Sequence, residues 1–161
     1  MIPLEFAIKL EENGEKYYRE QAEKYKGTEI ENIFLTLADD EFYHAEIIRQ
    51  KQSKEVYDLT DTKVLDESKD IFANADDFDE EVFSQPKQID ALRQALKKEQ
   101  ESIDLYQEMY DDTIEKDEKK LYSFLVKEEK KHYKVINEII ELHRHAEEWV
   151  EDAEFGKRDK Y

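Results

Sequence analysis

Two segments of this sequence carry a glutamate followed three residues later by a histidine. The first pair is Glu41 and His44, and the second is Glu129 and His132. Residues three apart on an α-helix project from the same face, so each pair presents a carboxylate and an imidazole side by side. Carboxylates and imidazoles are both ligands of divalent transition metals. The two segments therefore indicate a metal site.

The two pairs belong to an internal repeat with an offset of 88 residues. At this offset Glu11 corresponds to Glu99 and Tyr18 to Tyr106, so each half carries a Glu, a Tyr seven residues later and the Glu-x-x-His pair. Two copies favour a pseudo-symmetric domain, because a solenoid needs more repeats. The predicted metal ligands and candidate catalytic residues are Glu11, Glu41, His44, Glu99, Glu129 and His132.

Charge indicates how many metal ions these residues hold. For a lone glutamate, the simpler interpretation is a position at the edge of an apolar stripe that reaches water. That interpretation does not explain six polar residues at matching core positions, since each buried carboxylate without a partner costs several kcal/mol. The predicted stripes offer no Lys or Arg, so we expect two divalent cations to balance four carboxylates. Iron or manganese suits this mixed ligand set, and zinc is a further possible occupant.

Composition predicts a protein built of long helices. The 161 residues suffice for one domain with a substantial core, and 42% of them are charged, with only three Gly and two Pro. The formal charge of −18 argues against nucleic acid and anionic membranes as partners. The chain has no apolar run long enough to span a bilayer, and its start does not resemble a signal peptide. We therefore expect a cytoplasmic protein; the absence of Cys excludes disulfides and thiolate metal sites.

Hydrophobic periodicity predicts an all-α fold of four amphipathic helices. Their expected ranges are 3–26, 29–56, 86–112 and 117–150. The segment 57–85 is too long for a hairpin loop. We predict that it crosses over the bundle with a short helix at 62–73 and packs apolar pairs such as Val82-Phe83. Residues 1–150 then form one four-helix bundle with a crossover, and residues 151–161 form a tail that frays from Gly156 onward.

Several finer features are predicted from local sequence. Gly27 can end the first helix in a left-handed conformation, and Thr28 with Glu31 matches a capping box for the second helix. The first two helices should therefore be antiparallel neighbours. Tyr43 should lie at the surface or in an interface. The last turns of the fourth helix, with Trp149, Val150 and Phe155, should pack on the crossover or on the second subunit of a homodimer.

Two further histidines follow the second Glu-x-x-His pair. His143 lies three turns beyond His132 and could bind a metal, but a core histidine with its hydrogen bonds satisfied is the more common case. His145 is expected at the surface.

Four stretches of the chain together resemble a known family. They are Leu10 to Tyr18, Leu37 to His44, Ala95 to Glu99 with Tyr106, and Glu128 to His132. They resemble the ferritin-like superfamily, and most closely its rubrerythrin-like branch. The resemblance implies a ferritin-like bundle that binds two iron ions through the matching Glu and Glu-x-x-His positions. It also implies that Tyr18 and Tyr106 donate hydrogen bonds to ligand carboxylates; core tyrosines bonded elsewhere are an equally good interpretation.

The chain departs from relatives of this type at three points. Rubrerythrins proper have a further Glu where this chain has Ser102. Bacterioferritins bind haem through a Met, but Met1 and Met109 do not match its position, so we expect no haem. Without Cys the chain has no rubredoxin domain, and it would need an external electron donor such as a rubredoxin-like protein.

The resemblance implies a non-haem di-iron oxidoreductase that reduces hydrogen peroxide or dioxygen. Two alternatives remain: a ferroxidase or iron-storage protein, and a metal-stabilised module without catalysis.

Overall fold

The fold is an all-α bundle. A computed structural model describes residues 2–73 and 86–155, with the side chains of 73, 86–87, 147 and 149–155 left out. Its helices are α1 (Leu4–Lys24), α2 (Glu29–Gln52), α3 (Val64–Ala73), α4 (Pro86–Asp112) and α5 (Lys116–Phe155). Within the described ranges the chain forms no strand. The predicted four long helices and the short helix on the crossover are all present, which confirms the fold class.

Two apolar clusters fill the bundle, one on each side of a central polar layer. The proximal cluster includes Ala7, Ile8, Ile47, Ile48, Ile103, Tyr106, Leu121, Phe124 and Leu125. The distal cluster includes Tyr18, Ala22, Ile33, Phe34, Leu37, Leu92, Ala95, Val135, Ile136 and Ile139. Each long helix contributes to both clusters, so the polar residue between its two apolar stretches is forced into the middle of the bundle.

The order in which each helix meets the clusters gives its direction. α1 and α5 run from the proximal to the distal cluster, whereas α2 and α4 run from the distal to the proximal cluster. α1 packs mainly on α2, and α4 packs mainly on α5. Because α2 and α4 are parallel, the chain between them must return along the bundle. This explains why a long crossover joins them while short turns join the other pairs.

Hydrogen bonds join the first part of the crossover to the bundle. Glu128 of α5 is fully buried, and its carboxylate accepts hydrogen bonds from the backbone N–H of Thr62 at 2.9 Å and from the Thr62 hydroxyl at 3.0 Å. The hydroxyl of Tyr43 donates to the Asp58 carbonyl at 2.6 Å and accepts from the Thr60 N–H at 2.8 Å. Tyr43 is half-buried between α2 and the start of the crossover. Its hydroxyl satisfies backbone groups of the crossover.

Several helix boundaries differ from the predictions. α2 ends at Gln52 rather than at 56, and Lys54 just beyond it has a positive φ of 59°. Gly27 has a φ of 85°, as predicted. The prediction of a capping box is wrong. Within the described structure, the Thr28 side chain makes no capping hydrogen bond to α2. Its hydroxyl instead donates to the Tyr25 carbonyl at 2.6 Å, which also accepts from the Thr28 backbone N–H at 3.0 Å.

α5 begins at Lys116 and continues to Phe155, five residues further than predicted. The side chains of Trp149, Val150 and Phe155, the pair Val82-Phe83 and the tail from Gly156 all lie outside the described residues. None of the described helices combines the length and the apolar character needed to cross a membrane.

Candidate metal centre

The six predicted ligands meet in the polar layer between the two apolar clusters. α1 contributes Glu11, α4 contributes Glu99, and α2 and α5 contribute the two Glu-x-x-His pairs. None of the six exposes more than 5% of its surface to solvent. The local cause is helical periodicity: each residue falls on the apolar stripe of its helix, so burying that stripe also buries the polar side chain.

The six side chains form two overlapping groups, each able to hold a metal ion. One group contains Glu11, Glu41, His44 and Glu129, and the other contains Glu41, Glu99, Glu129 and His132. Within each group the candidate ligand atoms lie within 4.8 Å of one another. Glu41 and Glu129 belong to both groups, while each histidine belongs to one. These residues could hold two metal ions, with Glu41 and Glu129 available to both.

Both imidazoles turn the same ring nitrogen toward the carboxylates. His132 Nδ1 lies 2.7 Å from Glu41 Oε1 and 3.7 Å from Glu129 Oε2. His44 Nδ1 lies 3.1 Å from Glu129 Oε1 and 3.5 Å from Glu11 Oε2. The two rings are stacked with their centroids 5.7 Å apart. Each Glu-x-x-His histidine therefore reaches the glutamates of neighbouring helices.

The hydrogen bonding of these residues is incomplete in a way that fits metal ions. In the described part of the chain, the buried side-chain atoms of this layer without a hydrogen-bond partner include Glu11 Oε2, Glu41 Oε1, Glu99 Oε2 and His132 Nδ1. His132 Nδ1 and Glu41 Oε1 lie 2.7 Å apart, but their approach does not have hydrogen-bond geometry. Buried polar atoms in native proteins are almost always paired, because an unpaired one costs about 1–3 kcal/mol. Carboxylate and imidazole lone pairs gathered in one buried layer supply the donor set for divalent transition metals.

The carboxyl groups of the metal-free site divide into two kinds. Burial, together with the neighbouring charges of Glu11 and Glu99, raises the pKa of Glu41 and of Glu129 well above its ordinary value. Burial also acts on Glu11, but hydrogen bonding with Glu41 and the nearby His44 outweigh it and lower the Glu11 pKa to about 2. When no metal is bound, the two carboxyl groups shared by both groups therefore hold their protons to higher pH than an exposed glutamate does, and metal ions compete with those protons.

Two tyrosines hold the outer glutamates from opposite helices. The hydroxyl of Tyr18 on α1 donates to Glu99 on α4, and the hydroxyl of Tyr106 on α4 donates to Glu11 on α1 at 2.5 Å. Burial and the adjacent carboxylates raise the pKa of both tyrosines well above the ordinary value. Both hydroxyls therefore stay protonated at neutral pH. Each orients one carboxylate by donating to one of its oxygens.

Asp40 is a buried carboxylate beside the cluster that the sequence reasoning missed. It exposes only 7% of its surface, and its Oδ2 lies 3.0 Å from Nε2 of His132. A carboxylate at Nε2 keeps the proton there and leaves Nδ1 as the ligand atom. The repeat carried a signal, since Asp40 and its counterpart Glu128 are the acidic residues that precede the two Glu-x-x-His pairs. The two differ in their roles, because Glu128 binds Thr62 of the crossover.

Removing this carboxylate should weaken metal binding. We expect Asp40→Ala to lower metal affinity about 10- to 100-fold, because the His132 ring loses the partner that fixes its orientation. Competition with a chelator of known affinity measures the change. Asp39→Ala is the matched control, since Asp39 is adjacent on α2 but has a side chain that is 73% exposed. Equal affinities for the two variants would show that Asp40 does not orient the ligand.

The remaining histidines lie outside the cluster. His143 is fully buried, and its Nε2 lies 2.6 Å from the Tyr25 hydroxyl. It is thus a hydrogen-bonded core histidine, the case that the sequence favoured. His145 is exposed, as predicted. Ser102 lies beside the site, half-buried, on the wall of a cavity that also touches Glu41 and Glu99.

Comparison with known protein families agrees with this site. The family model described as Rubrerythrin matches residues 3–154, which include the six clustered residues and all four long helices except the last residue of α5. No match was found among curated proteins or among solved structures. The match spans nearly the whole chain, and the bundle and its buried carboxylate–histidine cluster agree with it. The chain belongs to the rubrerythrin family, as a ferritin-like bundle with a site suited to metal ions.

Proposed function

We propose that this protein is a non-haem di-iron oxidoreductase that reduces hydrogen peroxide. The observation that carries the proposal is the pair of overlapping four-residue groups that share Glu41 and Glu129. Two sites joined by common carboxylates keep two ions close enough to act on one small molecule. Membership of the rubrerythrin family supports iron as the native metal. Manganese and zinc suit the same ligands as alternative occupants.

The bound metal would supply the electrons of the reaction. Two iron(II) ions held here would give one electron each, and with two protons these convert hydrogen peroxide into two molecules of water. The chain's own residues hold the site ready for this step. Glu41 and Glu129 tie the two groups together, and Asp40 fixes the His132 ring.

Water is kept from the rest of the site by the apolar clusters on both sides. The proximal cluster begins with Ala7 and Ile8 one turn before Glu11, and the distal cluster includes Leu37 one turn before Glu41. In this enclosed layer the Tyr106 hydroxyl donates to Glu11 without competition from solvent. Hydrogen bonds and interactions between charges are stronger in such surroundings than in water.

Repeated turnover requires electrons from outside the chain. The sequence contains no Cys and therefore no rubredoxin-type iron centre. We propose that an external protein of rubredoxin type returns the site to its reduced state, and that the protein works as a homodimer.

The test compares two oxidants on the same reduced protein. Protein loaded anaerobically with two iron(II) ions per chain is mixed with stoichiometric hydrogen peroxide or with dioxygen, and oxidation is followed by stopped-flow absorbance. We expect the peroxide reaction to be at least about tenfold faster, since a two-electron oxidant matches two one-electron donors. Oxidation by neither reagent would refute catalysis and leave a metal-stabilised module.

A second candidate function is iron(II) oxidation with dioxygen, for storage or detoxification. Ser102 favours it, because the position three residues after Glu99 lacks the further carboxylate of rubrerythrins proper. A faster reaction with dioxygen, and turnover of added iron(II), would support this candidate over peroxide reduction. The particle size in solution separates iron storage in a large cage from the other roles.

A further inference from the structure

A cavity reaches the metal centre between α1 and α4. Its volume is about 120 Å³, and its lining includes Gly14, Tyr18, Glu41, Glu99 and Ser102. Two of the predicted metal ligands thus form part of its wall. The cavity lies where α1 and α4 meet. Its lining includes one small residue from each helix, Gly14 of α1 and Ser102 of α4.

Gly14 leaves the space that this arrangement needs. A Cβ atom added at Gly14 would lie 2.8 Å from Glu41 Oε2 and 3.2 Å from the Glu41 carboxyl carbon. Both distances are shorter than ordinary van der Waals contact. Any side chain at position 14 would therefore displace the Glu41 carboxylate from its present place. The absence of a side chain lets Glu41 extend toward the cavity.

The internal repeat gives Gly14 a counterpart on the other helix. Gly14 follows Glu11 by three residues, and Ser102 follows Glu99 by three residues, with the same 88-residue offset that relates the ligands. Both positions lie one helical turn from a ligand. A glycine and a serine at these two positions line the same cavity.

Buried oxygens of the cavity wall are available to a ligand. Among the described residues, Glu99 Oε2 is a buried side-chain atom without a hydrogen-bond partner, and Glu41 Oε2 is the oxygen that faces Gly14. Glu41 exposes 4% of its surface and Glu99 exposes 5%. The cavity therefore ends on incompletely bonded carboxylates, where an arriving molecule meets the metal-binding layer.

We propose that a small oxidant or anion enters and binds in this cavity on its way to the metal centre, and that Gly14 and Ser102 keep the cavity open. About 10–15 Å³ of cavity volume of this kind holds one water molecule, so the cavity has room for several. Hydrogen peroxide and azide are small enough for this space, and we expect a hydroperoxide with an aryl group to enter it much more slowly. The identity of the oxidant rests on the proposed function, whereas the cavity as a ligand site does not.

Equilibrium binding of azide tests the site without turnover. Protein loaded with cobalt(II) is titrated with azide, and the visible absorption bands of cobalt report binding. We expect Ser102→Val and Gly14→Ala each to bind azide at least about tenfold more weakly than wild type, because added carbon atoms fill the cavity or push Glu41 into it. Ser102→Val leaves the space beside Glu41 at Gly14 unchanged and is the more direct variant.

The control is Ser123→Val on α5, a half-buried serine at another surface depression that includes Phe124 and Lys127. It introduces the same change away from the cavity and should bind azide as wild type does. Cobalt content and melting temperature are measured for all variants, so that azide affinities are compared only between fully loaded, folded proteins. Wild-type affinity in loaded Ser102→Val, or equal weakening in Ser123→Val, would overturn the proposal.

A second experiment tests the size limit on the di-iron(II) protein. We expect wild type to be oxidised at least about tenfold faster by hydrogen peroxide than by cumene hydroperoxide, as a narrow site excludes the larger molecule. Equal rates would overturn the assignment of the cavity as the route. Weakened azide binding in the cavity variants of a protein that no peroxide oxidises would refute the proposed function and support the ligand site.

Discussion

Loading the metal-free protein with metal ions should raise its melting temperature by about 15 to 30 °C at neutral pH. A ligand present at about 1,000 times its dissociation constant adds about 4 kcal/mol to the free energy of unfolding, and two sites double this gain. For a domain of this size, each kcal/mol shifts the melting temperature by about 2–4 °C. We expect a large gain because the four glutamates and two histidines are buried: each exposes less than 6% of its surface to solvent.

The stability of the metal-free protein should fall as the pH rises. Glu41 and Glu129 have pKa values raised well above 4.5, so the folded protein holds protons that the unfolded chain has already released. Their contribution is fully present below the unfolded pKa and is lost as the pH rises toward the folded pKa. Burial by itself would lower the pKa of His132, but the hydrogen bond to Asp40 and the charges of Glu99 and Glu129 raise it, so His132 acts in the same direction above 6.5.

Glu11 has the opposite dependence, but in another pH range. Its pKa is lowered to about 2, so its contribution is lost only as the pH falls below 4.5. Melting temperatures from about pH 5 to about pH 8 therefore isolate the raised groups. We expect the metal-free protein to melt at lower temperatures as the pH rises, and the metal-loaded protein to change much less. A metal-free protein as stable as the loaded one, or more stable at high pH, would contradict a buried carboxylate site.

Replacement of a shared glutamate should remove more metal than replacement of an outer one. Wild type is expected to bind about two ions per chain. Glu129 belongs to both four-residue groups, so Glu129→Ala should weaken both sites and leave fewer than about one ion per chain at limiting metal. Glu11 belongs to one group, so Glu11→Ala should retain about one ion in the intact group of Glu41, Glu99, Glu129 and His132.

Elemental analysis after equilibration with limiting metal measures these ratios. The matched control is Glu138→Ala, because Glu138 lies on α5 as Glu129 does but is exposed to solvent. It should bind as much metal as wild type. Full occupancy in Glu129→Ala would show that the cluster is not the metal site, and equal losses in Glu11→Ala and Glu129→Ala would show that Glu129 is not shared.

The sequence by itself determined the helices and the six clustered residues. Helical periodicity is a local property, so the apolar stripes that will be buried can be read from residues three and four apart. Glu41 with His44, and Glu129 with His132, fall within those stripes at the repeat offset. When the stripes are buried, these polar groups are therefore placed in the middle of the bundle. The fold class follows from the same stripes and from the long crossover.

The tertiary structure alone decided which residues touch across helices. Tyr18 donates to Glu99, 81 residues away, and Asp40 reaches His132, 92 residues away. Such pairs depend on the order and axial offset of the packed helices, which no local pattern encodes. The same holds for the glycine at position 14. A side chain there would overlap the Glu41 carboxylate of the neighbouring helix. A different axial offset would change each of these contacts while leaving every helix intact.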